Sequence, residues 1–327
     1  MNLLVLGALL FNLSTTYAAT TQFAIYSPGV QGDGVWKEEV KYLEKMMDLL
    51  GLSYKKVDAE FINEGRLGLG KRKNFEALIM PGGTSLPRTK QITLEGKKAI
   101  ELFVKSGGGY LGFCAGSYYA TETITWAEVE QDYEDFDYPQ ALNLFHGIAQ
   151  GPFGWAPWNH GTVMQGLETV ELNTKLPTLK SIDAPAYTEL FYFGGPFFKI
   201  SNRDRENPDL EIWGRAIPPH LNRRASQAGA KQPTIIHFPK GKGEVILFSY
   251  HPVILLGGSI LGHEMPVFAP HRKIVRRDPS PLSLDQVNYD SWNLLNAAFQ
   301  VVRHQPVKRL SVSLKSEQKH DRLRTLH

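Results

Sequence analysis

The chain has 327 residues, of which 42% are hydrophobic and 21% are charged, as in ordinary folded globular proteins. Its net charge of +3 is too small to indicate binding to nucleic acid or to a membrane, and its basic residues form no stripe with regularly spaced aromatics. The single cysteine excludes an intramolecular disulfide. A free thiol is unusual in an exported protein, so such a cysteine is expected to be buried or to have a chemical role.

The first residues contain an apolar run, Leu3–Leu13, that is too short to span a bilayer. Ala18 and Ala19 follow it, as at a signal-peptidase site. The segment Gln22–Tyr26 already supplies a first strand, so the fold does not need the apolar run. We therefore expect residues 1–19 to be a signal peptide and the protein to be exported, to the periplasm or outside the cell. The alternative is that the run is a buried first strand.

The segments that follow alternate between strand and helix patterns up to about residue 113. The predicted elements are a strand at Gln22–Tyr26, a helix at about Val35–Leu50 capped by Asp33, strands at Ser53–Val57 and Phe75–Met80, a helix at about Leu94–Lys105 and a strand at Tyr110–Phe113. Strands and helices at this spacing indicate a doubly wound, mostly parallel α/β sheet.

The second half of the chain is predicted to be rich in β-structure. The acidic segment Glu128–Asp137 lacks EF-hand spacing and is expected to be a solvated loop rather than a calcium site. The polar, mostly basic residues 303–327 are expected to be a disordered tail, which leaves residues 20–302 as one domain. The predicted elements are strands at Val163–Leu172, Ala186–Phe198 and Leu210–Ile217, a hairpin of Thr234–Phe238 with Glu244–Tyr250, and a helix at about Tyr289–Val302.

The strongest local signal is the segment Gly112-Phe113-Cys114-Ala115-Gly116, which follows an apolar strand and precedes a plausible helix. A nucleophile between two glycines is typical of a nucleophile elbow, a sharp turn at which strand and helix approach closely. This turn places the Cys114 side chain above the carboxyl edge of the sheet and at a helix N-terminus, which favours the thiolate. A lone cysteine is more often a small buried hydrophobic residue, but the flanking glycines favour the elbow.

A second strand ends at Met80 and is followed by Pro81, Gly82 and Gly83. Such a turn exposes backbone N–H groups beside the elbow. The N–H groups of Gly82 and Gly83, together with that of Ala115, are therefore candidates for an oxyanion hole. A plain tight turn is the alternative interpretation of this motif.

His251 ends a third strand and precedes Pro252. A histidine at a strand end on this edge of the sheet can deprotonate a nearby thiol. A capping or surface histidine is the commoner role, but the neighbouring motifs favour a general base. Five aromatic residues could form either core or a pocket wall, with core the commoner explanation: Phe153, Trp155, Trp158, Tyr192 and Phe197.

Other site patterns in the sequence are incomplete. The segment Gly65–Lys71 has the spacing of a phosphate-binding loop, but Arg72 stands where that motif needs Ser or Thr, and the segment leads into a strand rather than a helix. His263 and Glu264 lack the second histidine of a zinc-protease motif, and the histidines show no zinc-ligand spacing. No metal or cofactor site is therefore predicted.

The three strand-end motifs occur in the order found in class I glutamine amidotransferase-like domains, which this chain resembles. More specifically, the segment Gly108–Tyr118 resembles the N-terminal domain of some biotin–protein ligases. The resemblance covers residues 22–255 and implies a flavodoxin-like parallel α/β fold, with β-rich insertions. It also implies that Cys114 is the nucleophile and His251 its base. Supporting stretches are Tyr26–Gly29, Leu144-Phe145, Gly151-Pro152, Tyr192–Gly195 and the strand before His251.

One departure from the amidotransferase pattern concerns the acid that orients the histidine. In that superfamily an acid closely follows the His-Pro pair, whereas this chain has Val253 there. Losing such an acid can lower the rate by orders of magnitude. Glu189 is a candidate replacement from another strand. Tyr192, Gly194 and Gly195 are candidate substrate-binding residues.

Two functional hypotheses follow, with a third beside them. The first is an exported cysteine hydrolase that cleaves an amide or related acyl bond in a small-molecule or peptide-like substrate. The second is a non-catalytic ligand-binding or regulatory module that retains the elbow as structure. A redox-sensing thiol is the third. No ligase catalytic region is recognisable after residue 302, so biotinylation is not carried over from the resemblance.

Overall fold

The structure is a computed structural model that describes residues 21–29, 33–129, 132–136, 142–155, 158–159, 162–163, 165–205, 207–218, 229–255, 259–260, 263–264, 275–276 and 282–311. The expected signal peptide, residues 1–19, and residues 312–327 of the expected tail lie outside these described residues. None of the helices in the described part of the chain is long and apolar enough to cross a membrane.

The elements follow the predicted alternation in the first part of the chain and are mostly strands afterwards. The strands are β1 (Thr21–Tyr26), β2 (Tyr54–Val57), β3 (Phe75–Met80), β4 (Gly109–Phe113), β5 (Thr121–Val129), β6 (Asp132–Phe136), β7 (Phe145–Gly151), β8 (Trp158–Asn159), β9 (Thr162–Val163), β10 (Gly166–Leu172), β11 (Tyr187–Tyr192), β12 (Phe197–Lys199), β13 (Glu211–Ala216), β14 (Pro233–Lys240), β15 (Gly243–Phe248), β16 (Ser259–Ile260), β17 (His263–Glu264) and β18 (Val275–Arg276). The α-helices are α1 (Lys37–Leu50), α2 (Ala59–Asn63), α3 (Ser85–Gln91), α4 (Leu94–Lys105), α5 (Ala115–Tyr119), α6 (Pro177–Ser181), α7 (Asn202–Arg205) and α8 (Leu284–Val301), and Gly70–Arg72 forms a short 3₁₀ helix.

One large sheet organises the molecule. Its first half has the order β2-β1-β3-β4-β15, and all four pairings are parallel. This is the strand order of flavodoxin-like folds, so the predicted fold class is confirmed. From β15 the sheet continues as an antiparallel extension through β14, β13, β10 and β11, and β18 pairs in parallel with β10.

Burial explains why the strands in the parallel half of the sheet are apolar runs in the sequence. Every residue of β4 is buried, as are nearly all residues of β3 and β15, because helices cover both faces of a parallel sheet. On β1, the ring of Phe23 lies 5.0 Å from that of Phe299 on α8. Since parallel strands end at the same edge, β3, β4 and β15 deliver the three predicted motifs to one place.

The β-rich insertions form a second sheet with the order β12-β7-β5-β6. The acidic segment Glu128–Asp137 lies largely on the paired strands β5 and β6, so the prediction of a loop is wrong there. The predicted strand Ala186–Phe198 is instead two strands in different sheets, β11 and β12. β5 and β6 are neighbours in sequence and pair as a hairpin, whereas β11 pairs with β10 and β12 pairs with β7 of the second sheet, a division that the local pattern does not report.

The two ends of the folded domain also differ from what the sequence predicts. Asp33 does not cap α1, because its Oδ1 accepts from the Val35 N–H at 2.8 Å, before the helix begins at Lys37. Residues 303–311 are not a disordered tail. Leu310 is buried and its N–H donates to Oδ1 of Asn293 at 2.8 Å, so the folded domain extends beyond Val302.

Candidate active site at the carboxyl edge of the parallel sheet

Cys114 lies on the predicted elbow between β4 and α5. Its backbone has φ 45° and ψ −104°, a strained conformation for a residue with a side chain. A Cβ atom on Gly116 would lie 1.9 Å from the carbonyl oxygen of Met80, and one on Gly112 would lie 2.8 Å from that of Gly116. Only glycine fits at these two positions, which explains the spacing seen in the sequence.

His251 is the third residue after the end of β15 and is buried. Its Nδ1 lies 2.8 Å from Oε1 of Glu39, a fully buried carboxylate near the start of α1. The acid that orients the imidazole therefore comes from the first helix, 212 residues away in sequence. This arrangement replaces the acid missing at Val253, and the candidate Glu189 is not the residue that holds Nδ1.

The charges around His251 favour its protonated form. Burial by itself lowers the pKa of His251, but the negative charges of Glu39 and Cys114 outweigh burial and raise that pKa to about 10. The Nε2 atom has no hydrogen-bond partner among the described residues. One ring nitrogen is thus held by a carboxylate, and the other remains available to exchange a proton at the thiol.

The thiol itself is held by a backbone carbonyl. Cys114 donates its S–H to the Phe193 oxygen at 3.5 Å. That carbonyl is positioned by Gly194, whose own oxygen accepts from the Tyr118 hydroxyl at 3.1 Å, and by Gly195, where a Cβ atom would lie 1.8 Å from the Ser249 oxygen. The glycines therefore place the Phe193 carbonyl beside the Cys114 thiol.

The prediction that Tyr192 contacts substrate is wrong. Its side chain is fully buried, its hydroxyl donates to the Gly195 oxygen at 2.8 Å, and the same hydroxyl accepts from the Phe153 N–H at 2.9 Å. Because the carbonyls of Gly194 and Gly195 are also engaged, these three residues serve as structural support instead. Phe153, Trp155, Tyr192 and Phe197 are buried in the hydrophobic core, and the Trp158 side chain lies outside the described part.

Of the three candidate oxyanion donors, the N–H of Gly82 already donates a hydrogen bond within the protein, whereas the N–H groups of Gly83 and Ala115 are available to a substrate. The Gly82 N–H donates to Oε2 of Glu39, so Gly82 cannot also donate to a substrate oxygen, and that prediction is wrong. No hydrogen bond from the N–H of Gly83 or of Ala115 is found in the described part of the chain. Ala115 is the first residue of α5, where helix geometry leaves the N–H without an internal acceptor.

Aromatic side chains border the imidazole on the side of α1. The ring of Trp36 lies 4.8 Å from that of His251 in an edge-on arrangement, and Phe193 lies 5.9 Å from Trp36. Trp36 and Phe193 are only partly buried, so they form the rim of the site. The sequence reasoning missed both Trp36 and Glu39 as site residues.

A separate cleft of about 1030 Å³ lies on the antiparallel extension, and its lining does not include Cys114 or His251. His237 lies on this surface with its ring nitrogens 2.9 Å from the carboxylates of Glu211 and Glu244. Both nitrogens are satisfied, so the cluster is a closed ion-pair network. Within the described residues, no group of three His, Cys, Asp or Glu side chains is arranged to hold a metal ion.

Two curated proteins are similar to parts of the chain. A biotin–protein ligase of Schizosaccharomyces pombe is 24% identical over 190 residues, which are 56% of this chain and 26% of the ligase. An uncharacterised protein of Chlamydia muridarum is 25% identical over 124 residues, which are 38% of this chain and 44% of that protein. The chain thus spans less than half the length of either relative.

Solved structures that match the chain include a glutamine amidotransferase, at 17% identity and a TM-score of 0.40, where the match covers 71% of this chain and 90% of that one. The glutaminase domain of Trypanosoma brucei CTPS with bound acivicin matches at 13% identity and a TM-score of 0.46, over 90% of this chain and all of that domain. The family model described as the N-terminal part of biotin–protein ligase matches residues 30–265. This match spans most of the chain and includes the elbow and His251, so the protein belongs to the biotin–protein ligase N-terminal family.

Proposed function

We propose that the protein is a cysteine hydrolase that cleaves an amide or related acyl bond through Cys114, His251 and Glu39. The observation that carries this proposal is the buried 2.8 Å contact between His251 and Glu39 beside an elbow cysteine. The family and the amidotransferase-like fold support a general amidotransferase-like or ligase-associated role. Because the matched region is 26% of the curated ligase, biotin ligation itself is not part of the proposal.

The reaction begins from protonated His251 and thiolate Cys114, the pair that forms when the thiol proton moves to Nε2 of His251. The thiolate then attacks the substrate carbonyl carbon, and the π electrons of the carbonyl move onto its oxygen. The N–H groups of Gly83 and Ala115 hold this oxyanion. His251 donates its proton to the leaving amine or alcohol as the oxyanion collapses, which leaves a thioester on Cys114.

Hydrolysis of the thioester uses the same groups in reverse. His251 removes a proton from water as the water oxygen attacks the thioester carbonyl, and the oxyanion again lies at Gly83 and Ala115. Collapse breaks the carbon–sulfur bond, and the thiolate is restored beside protonated His251. Glu39 keeps the Nδ1 proton in place and stabilises the positive ring in both halves of the cycle.

The rival hypothesis of a non-catalytic binding module relied on the absence of an acid after His251. Glu39 supplies a buried carboxylate to the imidazole, which removes that reason to prefer the binding module.

The test is covalent capture of the acyl-enzyme. Purified protein is mixed with a panel of para-nitrophenyl esters and anilides, quenched in acid and measured by intact mass spectrometry, with Cys114→Ala as the control. We expect an adduct of one acyl group that maps to Cys114 and is absent in the variant. Absence of any adduct and of any turnover, with ordinary thiol alkylation, would instead indicate a binding module. Reversible oxidation of Cys114 without turnover would indicate a redox sensor.

We also propose that residues 1–19 are a signal peptide and that the mature protein is exported. The support is the Ala18-Ala19 pair after an apolar run, together with the start of β1 at Thr21. Sequencing the N-terminus of the protein after expression in a secreting host is expected to give a start near Thr20. A cell-associated product that retains residues 1–19 would contradict export.

A further inference from the structure

Arg88 is a buried cation directly behind the Pro81–Gly83 turn. It lies on α3 and is fully buried, and its Nη2 donates to the carbonyl oxygens of Gly34 at 2.9 Å and Gly82 at 2.7 Å. None of the ion pairs in the described part of the chain involves Arg88. Its Nε and Nη1 atoms also have no hydrogen-bond partner among those residues.

Such a residue needs an explanation, because burying a charge without a paired carboxylate is costly. Burial lowers the pKa of Arg88, while the charges of nearby groups, including Glu39 and Cys114, oppose that change. The geometry places the guanidinium beside the site, since it is bonded to the oxygen of Gly82, whose N–H is bonded to Glu39. A purely structural role for this position could be filled by an apolar side chain of similar volume.

The two acceptors of Arg88 lie on facing segments of backbone. The Val35–Gly83 bridge joins these segments, and the Thr84 N–H donates to the Gly34 oxygen at 2.7 Å. The Trp36 N–H donates to the Gly82 oxygen at 3.0 Å. Arg88 thus adds a second, charged donor to two carbonyls that each already have a backbone donor.

Because the peptide bond is planar, the bond from Arg88 to the Gly82 carbonyl also determines the direction of the Gly83 N–H. The carbonyl of Gly82 and the N–H of Gly83 belong to one trans peptide and point in opposite directions. With the carbonyl held by Arg88, the Gly83 N–H is directed away from the guanidinium. A cationic donor on the carbonyl also draws electron density from the peptide and strengthens its N–H as a donor.

We propose that Arg88 is a positioning residue that orients and polarises the Gly82–Gly83 peptide, so that the Gly83 N–H stabilises the oxyanion of acyl transfer. This inference rests on the proposed function, since it concerns the same reaction. It assigns a purpose to a buried cation that has no carboxylate in direct contact. It also explains why Gly82 engages three partners at once: Glu39, Trp36 and Arg88.

The experiment compares two reactions of the same thiol in the full chain. Acylation by a para-nitrophenyl ester passes through an oxyanion, whereas alkylation by iodoacetamide needs the thiolate but forms no oxyanion. We expect Arg88→Met to lower the acylation rate by about 10- to 100-fold, less than the loss of a whole oxyanion donor, and to change alkylation less than about threefold. Arg88→Lys keeps the charge and is expected to lose less than Arg88→Met.

Folding and general effects have their own controls. Arg88→Met leaves the Gly34 and Gly82 carbonyls bonded to Thr84 and Trp36, so the variant is expected to unfold cooperatively like the parent protein. Arg303→Met removes a partly buried guanidinium paired with Glu76, away from the site, and is expected to acylate at the parental rate. Equal acylation by Arg88→Met and the parent, or an equal fall of acylation and alkylation, overturns the inference. A parent protein that alkylates but never acylates refutes the proposed function itself.

Discussion

Replacing Glu39 with glutamine is expected to lower kcat/KM for acyl transfer by about 10⁴-fold, the loss seen when the carboxylate of a catalytic triad becomes an amide. If the new amide oxygen accepts from the Gly82 N–H, its NH₂ group faces Nδ1 of His251. The ring must then carry its proton on Nε2, the nitrogen that has to accept from the thiol. The variant keeps the shape of the site and loses its base.

The same substitution should change the pH dependence of the thiol in a defined direction. Glu39 raises the pKa of His251, so removing its charge lowers that pKa and destabilises the pair of protonated His251 and thiolate Cys114. The rate of iodoacetamide alkylation should therefore rise at a higher pH in Glu39→Gln than in the parent. A shift to lower pH, or none, would contradict the assigned role of Glu39.

Glu38 provides a matched control for this prediction. It is the neighbouring carboxylate in the first turn of the same helix, but its side chain is exposed. Glu38→Gln removes the same charge from the same helix end and should leave both kcat/KM and the alkylation profile within about twofold, since exposed charges interact weakly. Equal losses in the two variants would point to a general effect on α1.

The second large effect is expected for Gly82→Ala. The added methyl carbon would lie 2.4 Å from Cε1 and 2.8 Å from Nδ1 of His251, and 2.9 Å from Oε2 of Glu39. All three distances are shorter than a real contact allows, so the ring and the carboxylate must separate. Displacement of a catalytic group by about 1 Å can cost on the order of 10²-fold, and we expect a loss of kcat/KM of at least that size.

The measurement combines steady-state kinetics with thermal unfolding. Gly65→Ala is the control, because a Cβ atom at Gly65 meets nothing within 4 Å, although its φ of 69° makes any side chain there strained. That variant should lose some stability without losing activity. Gly82→Ala should lose activity in addition to stability, because its methyl group separates His251 from Glu39. A Gly82→Ala protein with the parental kcat/KM would mean that His251 does not act as the base in the position described.

The elbow could be predicted because every residue that defines it lies within one short segment. The same holds for β3, whose apolar run and following glycines are contiguous, and for the parallel half of the sheet. Glu39 could not be found in this way, since its contact with His251 spans 212 residues. One signal was present: Glu39 lies three residues after Trp36 and four before Leu43, on the apolar side of a helix where a carboxylate needs a partner.

The roles of Gly82 and Gly83 could not be separated from the sequence either. Both follow the same strand, and only the orientation of their peptides shows that one N–H binds Glu39 while the other has no acceptor in the described part of the chain. Tyr192 was misassigned for a related reason. Its hydroxyl bonds to Phe153 and Gly195, residues whose proximity depends on how two sheets meet.

The Glu39–His251 contact also has a consequence for how the chain folds during synthesis. Glu39 emerges from the ribosome long before His251, and until β15 is in place its carboxylate has no imidazole to pair with in an apolar pocket. An unpaired buried carboxylate is strongly destabilising, so the amino-terminal half is not expected to reach its final packing alone. Closing a loop of this length is also slow. The reactive thiol is therefore expected to acquire its base only at the last stage of folding, when the whole domain is complete.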